Sequence, residues 1–250
     1  MRAVITGATS GIGEKMAEIL HKKGYSLTLI ARRKNKLLQL KEIFGDKTQI
    51  IVADLSDKDE ILRAFSEIQK DDVEILINNA GFGLCGDFLE TSLEKELEMI
   101  NTNITAVHIL TKLFSDIFYK KNRGYILNVA SIASFLPGPL LSTYYSTKAY
   151  VRTLTESVYG ELKSKKSDVY IGVLCPGPVN TEFDKVANVK FSLKSSSPEF
   201  IAQYALKKMF QRKLVILPTL LVKATVIFQR FVPKKLLIRL VYKMQKKKIL

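Results

Sequence analysis

The sequence predicts an α/β fold: a doubly wound parallel sheet of about seven strands with helices on both faces, followed by a basic amphipathic helical extension. Three observations predict it. Short runs rich in branched apolar residues alternate with stretches of helical period along most of the 250 residues. A glycine-rich turn links the first run to the first helix. Polar and glycine motifs then recur just past the carboxyl ends of the runs, where ligands sit in parallel sheets.

The elements follow in order. Residues 3–6 read as a strand and 11–23 as a helix with Ile12, Met16, Ile19 and Leu20 on one face. Residues 26–31 form the next strand, and 34–44 a helix with Leu37, Leu38 and Leu40 apolar. A strand at 49–53 leads to a helix at 58–68, capped by Ser56 or Asp57. A fourth strand spans 73–78 and a long helical region 93–119. Strand 125–129, helix 144–164 and strand 169–174 complete six repeats, and 214–217 reads as a seventh strand. Right-handed crossovers turn such an alternation into one parallel sheet.

Composition narrows the chemistry. With 47% apolar and 25% charged residues, the chain is neither a disordered tail nor a collagen-like fibre. Cys85 and Cys175 are too few for a disulfide framework or a four-thiolate zinc site, and they read as small core residues. His21 and His108 have no spaced partners, so no metal site is expected and acid–base chemistry falls to other groups. No signal peptide or spanning helix is read, since the apolar stretch 214–228 is short and interrupted; the cytoplasm is the expected compartment. Charge is segregated: residues 190–250 hold fifteen Lys and Arg against one acid, Glu199.

The first turn, Thr6-Gly7-Ala8-Thr9-Ser10-Gly11-Ile12-Gly13, has the spacing that lets a pyrophosphate approach the backbone at a helix start. Gly7, Ser10, Gly11, Ile12 and Gly13 are its candidate contacts; the alternative is a glycine-rich turn without a ligand. At the end of the second strand an NAD site would carry an acid for the ribose hydroxyls, but Arg32 and Arg33 stand there. Guanidinium pairs with a 2′-phosphate, so NADP(H) is favoured over NAD(H), a solvated basic helix start being the alternative.

With these motifs the chain resembles the short-chain dehydrogenase/reductase (SDR) family over about residues 2–190. The resemblance rests further on Asp54 after the third strand and Asn78-Asn79-Ala80-Gly81 after the fourth. Asn103, Ser131, Tyr144-x-x-x-Lys148 and Pro176-Gly177 then follow in family order. It implies a Rossmann-type catalytic domain over 1–217 with a substrate lid at about 181–211, the basic segment 218–250 being an extension of the same domain. It implies Asn103, Ser131, Tyr144 and Lys148 as the catalytic set. Asp54 and Leu55 would touch adenine; Asn79, Ala80 and Gly81 would pass its ribose; Pro176, Gly177, Val179 and Thr181 would line the nicotinamide. Asn78 reads as a bond between strands, and His108 as a packing or interface residue.

The chemistry of the set also reads from the residues. Tyr144 and Lys148, four apart, share a helix face, and an ammonium can stabilise a phenolate. Tyr144 is then the general acid/base and Ser131 a hydrogen-bond partner of the substrate oxygen; Tyr145 reads as a packing aromatic. Family resemblance gives Lys148 the nicotinamide ribose as well, and Asn103 a water chain that reprotonates Tyr144. The expected activity is that of a carbonyl reductase or alcohol dehydrogenase. The apolar residues Phe82, Leu84, Phe88, Phe135, Leu136, Leu140 and Leu141, with Phe183, Val186, Val189, Phe191 and Leu193 of the lid, suit a lipophilic small molecule. The other class left open is a nucleotide-binding sensor or scaffold without turnover.

In the tail, Lys235, Arg239 and Lys243 recur every four residues beside Leu236, Leu240 and Met244, with Leu237 and Val241 adjoining. Such a helix either lies peripherally on an anionic membrane or packs over the pocket or a partner subunit. No nucleic-acid module accompanies the charge. A homodimer or homotetramer through the long helices around 103–119 and 144–164 is implied by the resemblance.

Overall fold

The computed structural model describes residues 1–69, 71–183 and 195–247. Seven strands form one sheet: β1 (Arg2–Thr6), β2 (Ser26–Ala31), β3 (Thr48–Val52), β4 (Val73–Asn78), β5 (Tyr125–Val129), β6 (Tyr170–Leu174) and β7 (Val215–Ile216). Their order is β3-β2-β1-β4-β5-β6-β7, and every pairing is parallel. The described helices are α1 (Gly11–Lys22), α2 (Lys34–Phe44), α3 (Lys58–Ile68), α4 (Leu93–Ile100), α5 (Ala106–Lys121), α6 (Ser142–Ser164), α7 (Pro198–Phe210), α8 (Leu220–Phe228) and α9 (Lys234–Lys246).

Alternation along the strands feeds two cores. Ala3 and Ile5 of β1 and Leu27 and Leu29 of β2 face α1, α2 and α7, whereas Val4 and Ile30 face the other layer. Phe114 and Phe118 of α5 are fully buried in that second layer. Strand boundaries lie within a residue or two of those the pattern predicts, and Asp57 is the cap of α3, accepting from the backbone N–H groups of Asp59 and Glu60.

Two features differ from the sequence pattern. The long helix expected at 93–119 is interrupted by a π-type turn at Asn101–Thr105. That wide turn carries the buried Asn103, whose Nδ2 donates to the Phe82 carbonyl at 2.9 Å and to Thr147 Oγ1 at 3.0 Å. The covering segment expected at 181–211 divides. Residues 184–194, with Val186, Val189, Phe191 and Leu193, lie outside the described residues, whereas α7 is a core helix that packs on α1 through Ile201, Ala205 and Met209. The sequence left the facing of α9 open; the helix turns Leu237, Val241 and Gln245 inward and leaves Leu236, Leu240 and Met244 exposed.

Strand order reverses between β1 and β4, and the crevice opens there. Thr6 fastens its two walls, its Oγ1 accepting from the N–H groups of Asn79 and Ala80, both at 3.0 Å. Behind it Asn78 donates to Asn128 Oδ1 at 2.9 Å and to Thr111, and Asn128 donates to Thr155. The interstrand bond expected of Asn78 is therefore present. Thr6→Val keeps the shape but leaves two N–H groups without an acceptor, so it should lower the unfolding free energy by about 1–3 kcal/mol. A urea midpoint equal to wild type would remove this role from the hydroxyl.

Candidate active site

Backbone conformation makes the first turn. Gly7 and Gly11 take φ of 63° and 57°, which side chains rarely adopt. A Cβ added at Gly13 would fall 2.4 Å from Asn79 Nδ2 and 2.5 Å from the Gly7 carbonyl oxygen. Asn79 Nδ2 donates to the carbonyls of Thr6 and Gly7 and so occupies that space. α3, α4, α7 and α8 have their first-turn N–H groups capped by Asp57, Ser92, Ser197 and Thr219, whereas α1, like α2, α6 and α9, has no side-chain cap. The start of α1 therefore keeps donors for an anion, and the thin turn beside it fits a pyrophosphate.

The two arginines separate. Arg33 is clamped over the turn: Nε donates to Thr9 Oγ1, Nη2 to the Thr9 carbonyl, and Nη1 lies 2.8 Å from Glu182. Arg32 stands at the crevice rim, 3.0 Å from Glu98 and 3.7 Å from Asp54. Burial opposes the charge on Asp54, but hydrogen bonds from Ser56 and the nearby Arg32 outweigh it and hold the carboxyl below its ordinary range. Leu55 beside it is buried.

Four elements converge beyond β4 and β5. A Cβ at Gly81 would lie 2.8 Å from Asn103 Oδ1 and 3.2 Å from Lys148 Nζ. Lys148 is buried on α6 and donates to the Val129 carbonyl at 3.0 Å, with Nζ 5.9 Å from the centre of the Tyr144 ring. Ser131 follows β5, accepts from the Ala133 N–H at 3.1 Å, and is hydrogen-bonded to Tyr144. Burial pushes the Tyr144 phenol up to about 12, with the Ser131 bond pulling the other way. Burial pushes the Lys148 ammonium down to about 8. Asn103, Ser131, Tyr144 and Lys148 are thus brought together.

The chain after β6 closes the site. The Pro176 carbonyl accepts from Ile132, and Val222 of α8 stands where a Cβ on Gly177 would come within 3.0 Å. Val179 is buried, and the Thr181 methyl packs against Gly11. Phe183 then lies with its ring centre 5.2 Å from that of Tyr144. Tyr145 packs on Gly138 and hydrogen-bonds Gln245 of α9. Sequence reasoning missed Gln245; its signal was a lone polar residue at the inward spacing of Leu237 and Val241. It also missed Glu98 and Glu182, whose pairing with arginines far along the chain has no local signature. His108 Nδ1 lies 2.7 Å from the Tyr150 hydroxyl, away from this cluster. Among the described residues no group of three or more His, Cys, Asp or Glu could hold a metal ion.

Fold and crevice define a dinucleotide-binding α/β protein. The sequence model described as short chain dehydrogenase matches residues 1–190, and the chain belongs to that oxidoreductase family. The very-long-chain 3-oxoacyl-CoA reductase of Anas platyrhynchos is 34% identical over 198 residues, 76% of this chain and 63% of that protein. An uncharacterized oxidoreductase of Staphylococcus aureus is 30% identical over 214 residues, 84% of this chain and 91% of that one. A short-chain dehydrogenase from Sphingobium yanoikuyae, solved in complex with NADPH, superposes with a TM-score of 0.81 at 28% identity, covering 93% of this chain and 96% of that chain. This chain spans less than two thirds of the avian reductase's length.

The buried ammonium gives a test. Its depressed value corresponds to about 3 kcal/mol of unfavourable charge burial, of which the bond to Val129 offsets about 1 kcal/mol that a neutral side chain would lose. Lys148→Met should therefore stabilise the fold by about 2 kcal/mol at pH 7. The gain should be full below pH 8 and close as pH rises toward the unfolded value of 10.5, since there the native wild type has lost a proton that the unfolded chain still binds. Denaturation at pH 7 and pH 9.5 checks both sign and window.

Proposed function

We propose that the protein is an NADP(H)-dependent oxidoreductase acting on a carbonyl or secondary alcohol of a lipophilic small molecule, with Tyr144 as general acid/base. The observation that carries the reading is the convergence of Tyr144 with Ser131 and Lys148, the last beside Gly81, across the sheet's switch point from an uncapped α1 start. A bound nicotinamide dinucleotide supplies or accepts the hydride. Gly7, Ser10, Gly11, Ile12 and Gly13 would hold its pyrophosphate. Asp54, Leu55, Asn79, Ala80 and Gly81 would take the adenosine side, and Lys148, Pro176, Gly177, Val179 and Thr181 the nicotinamide side.

In the reducing direction Tyr144 donates its proton to the substrate oxygen, and its raised value keeps that proton in place at neutral pH. The Ser131 hydroxyl donates to the same oxygen as charge gathers there. Lys148, at about 8, is mostly an ammonium at pH 7 and stabilises the phenolate left behind. Asn103 has its side chain committed to Phe82 and Thr147, so its part is to hold the chain around Gly81 against Lys148. The aromatic rings of Phe183 and Tyr145 beside Tyr144 favour an apolar substrate. The ketone on a long acyl chain in the avian relative's name agrees with that class. Assembly as a homodimer or homotetramer through α5 and α6 belongs to the same reading, in the cytoplasm or at a membrane surface.

Two measurements test it. NADPH should bind more tightly than NADH in a fluorescence titration, and Arg32→Ala should weaken NADPH about 10- to 100-fold while sparing NADH, the scale of a charge-assisted contact. Equal wild-type affinities would reject the phosphate role. Tyr144→Phe should abolish ketone reduction with NADPH affinity within about threefold of wild type; retained turnover would reject the acid/base.

A further inference from the structure

The C-terminal segment carries an apolar surface that the fold leaves bare. Phe228 and Phe231 are 68% and 78% exposed, and Leu236, Leu240 and Met244 form an exposed stripe along α9. Isolated exposed leucines need no explanation, but a run of large apolar side chains over two successive helices does. The same segment is uniformly basic: residues 220–247 contain eight Lys and Arg and no Asp or Glu. Among the described residues none of those eight enters an ion pair, whereas arginines elsewhere, such as Arg33, Arg63 and Arg152, do. No helix there is long and apolar enough to cross a membrane. Apolar side chains to insert, cations without protein partners and no spanning helix are the properties of a segment that lies in the headgroup region of an anionic bilayer.

We propose that α8, the turn Gln229–Phe231 and α9 form an interfacial docking surface for anionic lipid. The helices also touch the crevice: Val222 of α8 backs Gly177, and Gln245 of α9 is bonded to Tyr145, the neighbour of Tyr144. Docking therefore holds the Tyr144 end of the site at the lipid surface, where lipophilic carbonyls concentrate; this last consequence rests on the proposed oxidoreductase reading, the docking itself does not.

The test is flotation of the full chain with vesicles of phosphatidylcholine containing about 30% phosphatidylserine, against phosphatidylcholine alone. Each cation near such a surface multiplies affinity about fivefold, so binding should fall more than 10-fold between about 50 and 500 mM salt. Phe228→Ser with Phe231→Ser should lose binding about 10-fold while melting temperature and NADPH affinity stay as in wild type. Absence of flotation at low salt overturns the proposal. So does binding that the double variant leaves unchanged, which is adsorption by charge alone. So does a wild-type dimer that the double variant converts to monomer, since a second copy then covers the patch. Flotation reads neither cofactor nor turnover, so a protein that floats but reduces no ketone counts against the enzymatic reading and not this one.

Discussion

The close approach of two backbones where the strand order reverses governs the rest of the structure. A Cβ at Gly7 would come 2.8 Å from the Ala80 Cα, and one at Gly13 would meet Asn79. Any side chain at either glycine would push the chain after β4 outward. That chain continues to Gly81, which stands against Asn103 and Lys148. The wall beside the glycine turn and the wall beside Lys148 are thus one stretch of backbone, fixed by a threonine hydroxyl. A side chain at the glycine turn would therefore be felt at Lys148 through contacts along this one stretch.

Behind that wall, one cause acts in two directions. Burial raises the phenol of Tyr144 and lowers the ammonium of Lys148, because in each case it penalises the charged form. The Ser131 and Val129 contacts supply one hydrogen bond to each group, less than water would. The interior accordingly holds a buried ammonium that weakens the fold at neutral pH, and the two apolar layers around Phe114 and Met16 offset the loss. Polar groups kept at such cost are characteristic of sites where a ligand completes the solvation.

Most of the architecture was legible because short continuous apolar runs, as in β1, alternate with stretches of 3.6-residue period, as in α1. The motif residues were legible because each sits at a strand end or at a fixed helical spacing, as Tyr144 and Lys148 do on α6, places set by topology. The π-type turn at Asn101–Thr105 was not, since its cause is a tertiary bond from Asn103 to Phe82 and Thr147 rather than a local propensity. Which residues of α9 turn inward was not legible either. Leucines at 236 and 240 outrank a glutamine in any apolar pattern, yet Gln245 reaches the Tyr145 hydroxyl and turns the helix. The partners of Arg32 and Arg33 lie 66 and 149 residues away and leave no trace in spacing.

Those partners decide how two adjacent arginines divide their work. Arg33 spends three donors on Thr9 and Glu182, so its guanidinium is a brace for the glycine turn. Among the described residues Arg32 is held by ion pairs to Glu98 and Asp54, with its side chain 58% exposed. Ion pairs at that exposure are worth about 0–1 kcal/mol, because water screens them and two side chains must be ordered. A phosphate dianion offers a planar guanidinium bidentate, charge-assisted hydrogen bonds of roughly twice the strength of neutral ones. A 2′-phosphate at Arg32 would have to displace only these exposed pairs, while at Arg33 it would have to break a braced network. The proposed preference for a 2′-phosphorylated nucleotide accordingly falls on one arginine, the one whose present partners are cheapest to leave.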